Sequence, residues 1–404
     1  MHRVVVTGLG VVSALGQNAQ EFGTALRAGR SGIGPLTQSD MSGFRFQNGA
    51  EVSGFDPAKH FAESELLWLD RFAQFGIVAA REAIADSGLD WTDELRARTG
   101  VVTGSCLGGM VTEDAFYVNV YRENKTRVSP TAIPRIMSNA VASHVAMQHK
   151  FTGPTFTLST ACSSANHAIG HAFWLVRQGT LAAAVTGGSE APLVYGHLRA
   201  WEAMRVVAAD TCRPFSKGRT GMILGEGGAM LVLENMESAR ARGAKIYAEI
   251  VGFGMSADAH HLTQPLAEGA ARAITAALAD GALAHDRVHY INAHGTGTEV
   301  NDAMETKALR LVFGAQADRL AVSSTKSMHG HTLGAAGAVE AVATMLAFEQ
   351  NFIPPTANFV EPDPLCDLDV VPNEARAAEI DGAVSNSFAF GGLNAVLAFR
   401  RFRG

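Results

Sequence analysis

One cysteine, Cys162, and the histidines of two Gly-rich segments far downstream carry the chemistry this chain can be expected to perform, and their surroundings matter as much as their types. Cys162 stands in Phe156-Thr-Leu-Ser-Thr-Ala-Cys162-Ser-Ser-Ala-Asn-His167, where an apolar run gives way to an Ala-rich stretch predicted helical from Ser163 to Gln178. A thiol at a helix N-terminus meets unpaired N–H groups and the positive end of the helix dipole, so its pKa is expected to fall toward the thiolate. A small cysteine buried for packing is the competing reading, and Cys162 taken alone supports both equally. Two downstream segments break the tie: Asn292-Ala-His294-Gly-Thr296-Gly-Thr298 and Ser323-Ser-Thr-Lys326-Ser-Met-His329-Gly-His331. Each follows a strand-like run and sets histidine in a Gly-rich turn, where backbone can approach a ligand closely. One sulfur and two imidazoles at strand ends suit nucleophilic catalysis.

The elements that must hold these residues are legible as an alternation. Strand-like runs at 4–6, 99–102, 183–186, 229–233, 247–251, 288–292, 384–387 and 395–399 alternate with helical stretches at 73–86, 133–148, 163–178, 269–279, 302–312 and 338–349. The stretch before Cys162 reads as a further short, buried strand. Such alternation predicts an α/β fold with helices packed on sheets. A boundary is expected near Gly252 to Asp258, giving halves 1–252 and 253–404, although no Pro- or Ser-rich linker marks it.

Composition sets limits. With 404 residues, 47% of them hydrophobic, the chain can bury more core than one ordinary domain. A net charge of -6 argues against nucleic acid as a partner. Cys106, Cys162, Cys212 and Cys366 are scattered without a CxxC pair, which fits a reducing cytoplasm. The first residues enter a strand directly, without the pattern of a signal peptide, and no run approaches the ~18 apolar residues of a membrane span. His329-Gly-His331 and His260-His261 invite a metal reading, but no third ligand stands at a zinc-site spacing, so no catalytic metal is expected.

In that order and within those local motifs, Cys162, His294, Lys326 and His331 resemble the β-ketoacyl-acyl carrier protein synthases, the elongating condensing enzymes of fatty acid and polyketide assembly. The likeness runs through Val4-Val-Val-Thr-Gly8, Arg213-Pro-Phe, Gly225-Glu-Gly and Asn386-Ser-Phe388-Ala-Phe390-Gly391-Gly392-Leu-Asn394. It is closest to the synthase II branch, and the Phe-Ala-Phe-Gly-Gly-Leu-Asn wording is similar to the nodulation protein E type. The resemblance implies a thiolase-like fold of two βαβαβαββ halves in five layers, α-β-α-β-α, with Cys162 in the first half and His294, Lys326 and His331 in the second. It implies a homodimer, an acyl carrier protein as partner, no resident cofactor, and a decarboxylative condensation in which Cys162 carries the acyl group and malonyl-carrier supplies the extender.

Roles follow residue by residue. The N–H groups of Cys162 and Phe390 would form an oxyanion hole, with Gly391 and Gly392 permitting the turn and Phe390 gating access beside Phe388. His294 and His331 would stabilise the enolate as neutral imidazole donors. Lys326 would be buried and paired with Glu305 to organise the histidines. Thr296 and Thr298 would line the pantetheine channel, and Leu107 and Trp201 the acyl pocket. A structural monovalent cation near Glu340, Ser385 and Asn386 is also implied.

Several positions depart from the family pattern. Ser216 and Thr220 stand where acids are usual, leaving the salt bridges of that segment open. The stretch Ser64 to Arg71 lacks the usual basic cluster, so steering of an acidic carrier would lean on Lys125, Arg127 and Arg205, with Trp68 offering an apolar contact. Three other functions compete. A degradative thiolase would need a second cysteine where Phe-Ala-Phe-Gly-Gly stands, and a starter-type synthase would carry a Cys-His-Asn set. A non-elongating chain-length-factor partner would have lost Cys162.

Overall fold

The computed structural model describes residues 1–404. Ten strands form one sheet: β1 (Val4–Ser13), β2 (Thr99–Gly104), β3 (Thr155–Leu158), β4 (Ala183–Glu190), β5 (Gly227–Asn235), β6 (Ala248–Ala257), β7 (Tyr290–Asn292), β8 (Ala321–Ser323), β9 (Gly382–Ala389) and β10 (Leu393–Arg400). The spatial order is β8-β7-β9-β10-β6-β1-β5-β4-β2-β3. Counted outward from the centre, β1-β5-β4-β2-β3 and β6-β10-β9-β7-β8 repeat one another strand for strand. The duplication that is faint in sequence is plain in topology. The halves join where Val4–Val6 pairs antiparallel with Ala248–Ile250. A division at 252/253 falls inside β6, which runs unbroken from Ala248 to Ala257.

Seven helices position the site: α1 (Arg71–Asp86), α2 (Ala140–His149), α3 (Ser164–Arg177), α4 (Tyr195–Met204), α5 (Ala267–Asp280), α6 (Glu299–Phe313) and α7 (Ala336–Gln350). α3 and α7 lie between the two half-sheets, α1 and α2 cover the outer face of the first, and α5 and α6 that of the second. This is the expected five-layer thiolase-like arrangement. Being covered on both faces explains why β1 is buried at all ten positions and reads as a continuous apolar run instead of an alternating one. The largest of the apolar cores fills the middle layer, and α7 is buried around nearly its whole circumference.

Two local expectations change. The single helix predicted over 133–148 breaks into Ala132–Ile136 and α2, with Met137 extended between them. The carbonyl of Ile136 accepts from the N–H of Gly109 instead of continuing the helix. The strand before Cys162 is not buried: β3 is an edge strand whose residues are exposed or half-buried, because only β2 pairs with it.

Candidate active site

Each reactive residue sits where a strand ends. Cys162 follows β3 and lies just ahead of α3, and Ala161 before it is held at φ 51°, a left-handed conformation that non-glycine residues rarely adopt. His294 follows β7; Lys326 begins a helical turn, Lys326–His329, after β8, and His331 lies just beyond it. The turn between β9 and β10 carries Phe390, with Gly391 and Gly392 at φ 84° and 68°, so glycine is required for this reversal. Gly391 N–H donates to the Leu262 carbonyl at 2.7 Å, tying the turn to the 258–266 loop.

These elements enclose a cavity of about 630 Å³ lined by Cys162, His294, His331, Phe388, Phe390 and Gly392, with Thr296, Thr298, Trp201 and Arg205 toward its other walls and mouth. The imidazoles stand edge to face, centroids 5.4 Å apart, and Phe388 packs against His294 at 6.0 Å. The N–H groups of Cys162 and Phe390 donate to no other protein group, leaving both free for an oxyanion. Thr296 and Thr298 share a hydroxyl hydrogen bond of 2.9 Å.

Proton positions on both rings follow from their neighbours. The ammonium of Lys326, which can only donate, lies 3.4 Å from Nδ1 of His294. The N–H of Leu333 donates to Nδ1 of His331 at 3.2 Å. With Nδ1 an acceptor on each neutral ring, Nε2 carries the hydrogen. Burial first, then the charge of Lys326, hold both histidines well below the usual imidazole range. They stay neutral at working pH. His329 is separate: its ring nitrogens meet the Gly330 carbonyl and the Thr325 hydroxyl, a satisfied core histidine.

Three expectations are corrected. Lys326 does not pair with Glu305; it forms a fully buried ion pair with Glu340 on α7. Both oxygens of Glu305 are engaged by the N–H groups of His294 and Gly295, at 2.9 and 2.8 Å, and Oε1 also by Asn386. Glu305 therefore fixes the backbone of the histidine turn, while Lys326 fixes the ring. Leu107 does not line the cavity but packs in an apolar cluster beside Trp201.

The Cys162 thiol is the third. Burial raises it to about 11, outweighing the pull of Lys326. The helix end offers N–H groups to an oxyanion, but removing the sulfur from water costs the thiolate more than those dipoles return. Alkylation of Cys162 by iodoacetamide is accordingly expected to rise about tenfold per pH unit and to reach no plateau below about pH 10. A plateau near neutrality, followed by intact mass, would show a resting thiolate instead.

Of the remaining residues, Arg205 lies at the cavity mouth, whereas Lys125 and Arg127 sit on an exposed segment away from it, Lys125 paired with Glu123. Trp68 is exposed as expected. Ser216, found where an acid is usual, accepts from the N–H groups of Val360 and Glu361, and Arg219 takes Asp302 and Asp363 as its partners. No group of three or more metal-ligating side chains exists. Residues missed from sequence include His197, the cavity wall from Leu262 to Pro265, and Glu340 in its role as the partner of Lys326. The spacing of His197 and Trp201, four apart on one helix, was a usable signal.

A thiolase-like fold whose halves bring a cysteine and two Nε2-protonated histidines into one cavity defines a thiol-dependent condensing enzyme of the acyltransferase class. The chain belongs to the β-ketoacyl synthase family: the family models for the β-ketoacyl synthase N-terminal and C-terminal domains match residues 1–239 and 247–360. It is 46% identical to a nodulation protein E of Rhizobium sp. (strain N33) over 99% of both chains. It is 42% identical to a 3-oxoacyl-[acyl-carrier-protein] synthase 2 of Staphylococcus aureus (strain N315), covering 99% of this chain and 98% of the relative. Among solved structures, the ishigamide ketosynthase/chain length factor superposes with a TM-score of 0.94 at 38% identity over the full length of both chains.

Proposed function

We propose that this enzyme joins an acyl group held on Cys162 to malonyl-acyl carrier protein, giving 3-oxoacyl-acyl carrier protein and CO2. The observation that carries this reading is that His294 and His331, each with Nδ1 occupied as an acceptor, line the cavity that holds the sulfur. In the first half-reaction the Cys162 sulfur attacks the carrier thioester, its proton leaves with the carrier thiol, and the N–H groups of Cys162 and Phe390 hold the oxyanion. In the second, malonyl-carrier breaks the bond between its methylene carbon and its free carboxylate, releasing CO2. The electron pair passes into an enolate whose oxygen accepts from His294 and His331. The enolate carbon then attacks the acyl carbonyl, and Cys162 departs as a thiolate that takes a proton from water. Neutral donors suit this step because an imidazolium could protonate the carbanion before it attacks.

Partners and surroundings complete the reading. Thr296 and Thr298 lie where a phosphopantetheine arm would pass, Arg205 at the mouth would meet an acidic carrier, and Lys125 and Arg127 would extend that contact. No resident cofactor is needed. The free outer edge of β3 and the exposed apolar side chains Tyr117, Tyr121, Val128 and Ile133 fit a second copy pairing through that edge. A single 42.6 kDa particle in sedimentation would overturn the dimer. Four free cysteines fit the cytoplasm, and no helix is long and apolar enough to cross a membrane. Buried oxygens of Asn292, Glu340, Ser385 and Asn386 that lack a partner, two of them on register partners of β7 and β9, fit a monovalent cation that would brace the strand ends.

The deciding experiment is intact mass after incubation with acyl-carrier. An acyl adduct on Cys162, absent in Cys162→Ala, followed by 3-oxoacyl-carrier when malonyl-carrier is added, is the expected result. A protein that never acylates, or that acylates and releases no CO2, would overturn the reading.

A further inference from the structure

Glu190, the last residue of β4, is a buried carboxylate outside the cavity lining. Burial raises its pKa, and what pulls it back is a set of hydrogen bonds from Cys106, Ser105 and Leu107. Oε1 accepts from the Ser105 hydroxyl at 2.7 Å and the Leu107 N–H at 3.2 Å. Oε2 accepts from the Cys106 N–H at 2.8 Å, the Cys106 thiol at 2.9 Å and the Gly334 N–H at 3.1 Å. A backbone N–H can only donate, so both oxygens serve as acceptors. The segment after β2 supplies all of these donors except Gly334, which comes from the second half of the fold. Only glycine fits there: a Cβ at 334 would lie 2.4 Å from Oε2 and 2.6 Å from the Cys106 nitrogen.

Gly334 matters because of its neighbour. Leu333 is buried at φ 47°, a left-handed conformation that a residue with a side chain seldom adopts without restraint. Its N–H donates to Nδ1 of His331, and the next N–H along the chain, that of Gly334, donates to Glu190. The backbone of His331 is fixed separately, its N–H on the Ile223 carbonyl at 2.7 Å and its carbonyl accepting from the Gly225 N–H at 2.9 Å. The ring thus depends on Leu333 for the placement of its proton, and the strained turn at Leu333 depends on Glu190. Resting on the condensing reading above, we propose that Glu190 is a positioning residue for that reaction: by holding Gly334 it keeps the Leu333 N–H on Nδ1 of His331, and so keeps the donor hydrogen of that ring on Nε2. Glu190 touches no substrate and acts through His331.

The test compares Glu190→Ala with Glu190→Gln, whose amide oxygen can still accept the Gly334 N–H. In Glu190→Ala, condensation is expected to fall about tenfold or more while single-turnover acylation of Cys162 changes by less than about twofold, and Glu190→Gln should recover most of the rate. In protein labelled with 15N-histidine, the His331 signal, assigned by its absence from His331→Ala, should show an unprotonated Nδ1 in the wild type and in Glu190→Gln, and a mixture of tautomers in Glu190→Ala. Added to His331→Ala, Glu190→Ala should cost nothing further in condensation, because the ring through which it acts is gone. Should Glu190→Ala fail to fold, Gly334→Ala displaces the same contact and leaves the donors of 105–107 on the carboxylate; it is expected to give the same split between half-reactions and the same mixture of tautomers. Equal losses of acylation and condensation, a Glu190→Ala penalty that persists without His331, or a wild-type ring signal in Gly334→Ala overturns the positioning role. Wild-type enzyme that acylates but never condenses overturns the condensing reading and this role with it, and is told apart from a failure of the role alone because the ring signal is read without turnover.

Discussion

Replacing Lys326 by alanine is expected to lower condensation by about 10²-fold or more and to destabilise the fold at the same time, two losses with different causes. The catalytic loss comes through His294. Without the ammonium 3.4 Å from Nδ1, nothing fixes which nitrogen carries the proton, and a ring with Nδ1–H would turn a lone pair toward the enolate instead of a donor. The stability loss comes from Glu340, a fully buried carboxylate whose ion-pair partner is gone; breaking such a pair costs about 3–5 kcal/mol. Part of that is recovered because Glu340, already raised by burial against the pull of Lys326, takes up a proton. The double variant Lys326→Met with Glu340→Gln is therefore expected to regain most of the unfolding midpoint and none of the rate. One further readout has no structural explanation. Lys326 is the second cause, after burial, of the depressed His294 pKa, so its removal moves His294 protonation upward. The residual activity of Lys326→Ala should fall on the acid side at a higher pH than that of the wild type. A double variant that recovered both midpoint and rate would remove Lys326 from the mechanism.

The Lys326 pair also shows where sequence reading stops. The alternation of strands and helices, and the convergence of Cys162, His294, Lys326 and His331, were legible because each lies just beyond a strand-like run, Cys162 at a helix start and the others in two Gly-rich turns, and strand ends of one sheet share an edge. The carboxylate partner was not. Glu305 and Glu340 both lie in helices that follow those motifs, and nothing in the spacing says which helix returns its carboxylate to the lysine. The chain reverses at Gly330, φ 69°, and brings α7 back across the turn, so Glu340 meets Lys326 while Glu305 is used up by the two N–H groups of the His294 turn. The Cys162 pKa failed for a related reason. Placement at a helix start is local and readable, whereas burial beneath both halves is tertiary, and here burial is the larger effect. The same holds for β3, whose apolar wording suits an interior strand as well as an edge strand awaiting a partner.

His294→Ala and His331→Ala should each cost about 10²–10³-fold in condensation, the range for loss of one oxyanion donor. The two half-reactions separate this role from others. Acylation of Cys162 relies on the Cys162 and Phe390 N–H groups, which neither substitution touches, so single-turnover acylation should fall far less than condensation. The enolate accepts from both imidazoles at once, so losing one leaves the other donor in place, while the double variant loses the pair. If the rings act on one oxygen, the second substitution should add less than the first, because the geometry is already spoiled. The two variants differ in what else they disturb. Removing His294 strips Lys326 of a contact but leaves its ion pair with Glu340, and removing His331 orphans the N–H of Leu333. Both proteins should therefore fold, His331→Ala with the larger local cost of about 1–3 kcal/mol for an unsatisfied buried donor. Rates of CO2 release and of acyl-enzyme formation, measured side by side, decide the matter. If acylation and decarboxylation fell together by the same factor, the histidines would be serving the sulfur, and the donor pair aimed at an enolate would lose its support.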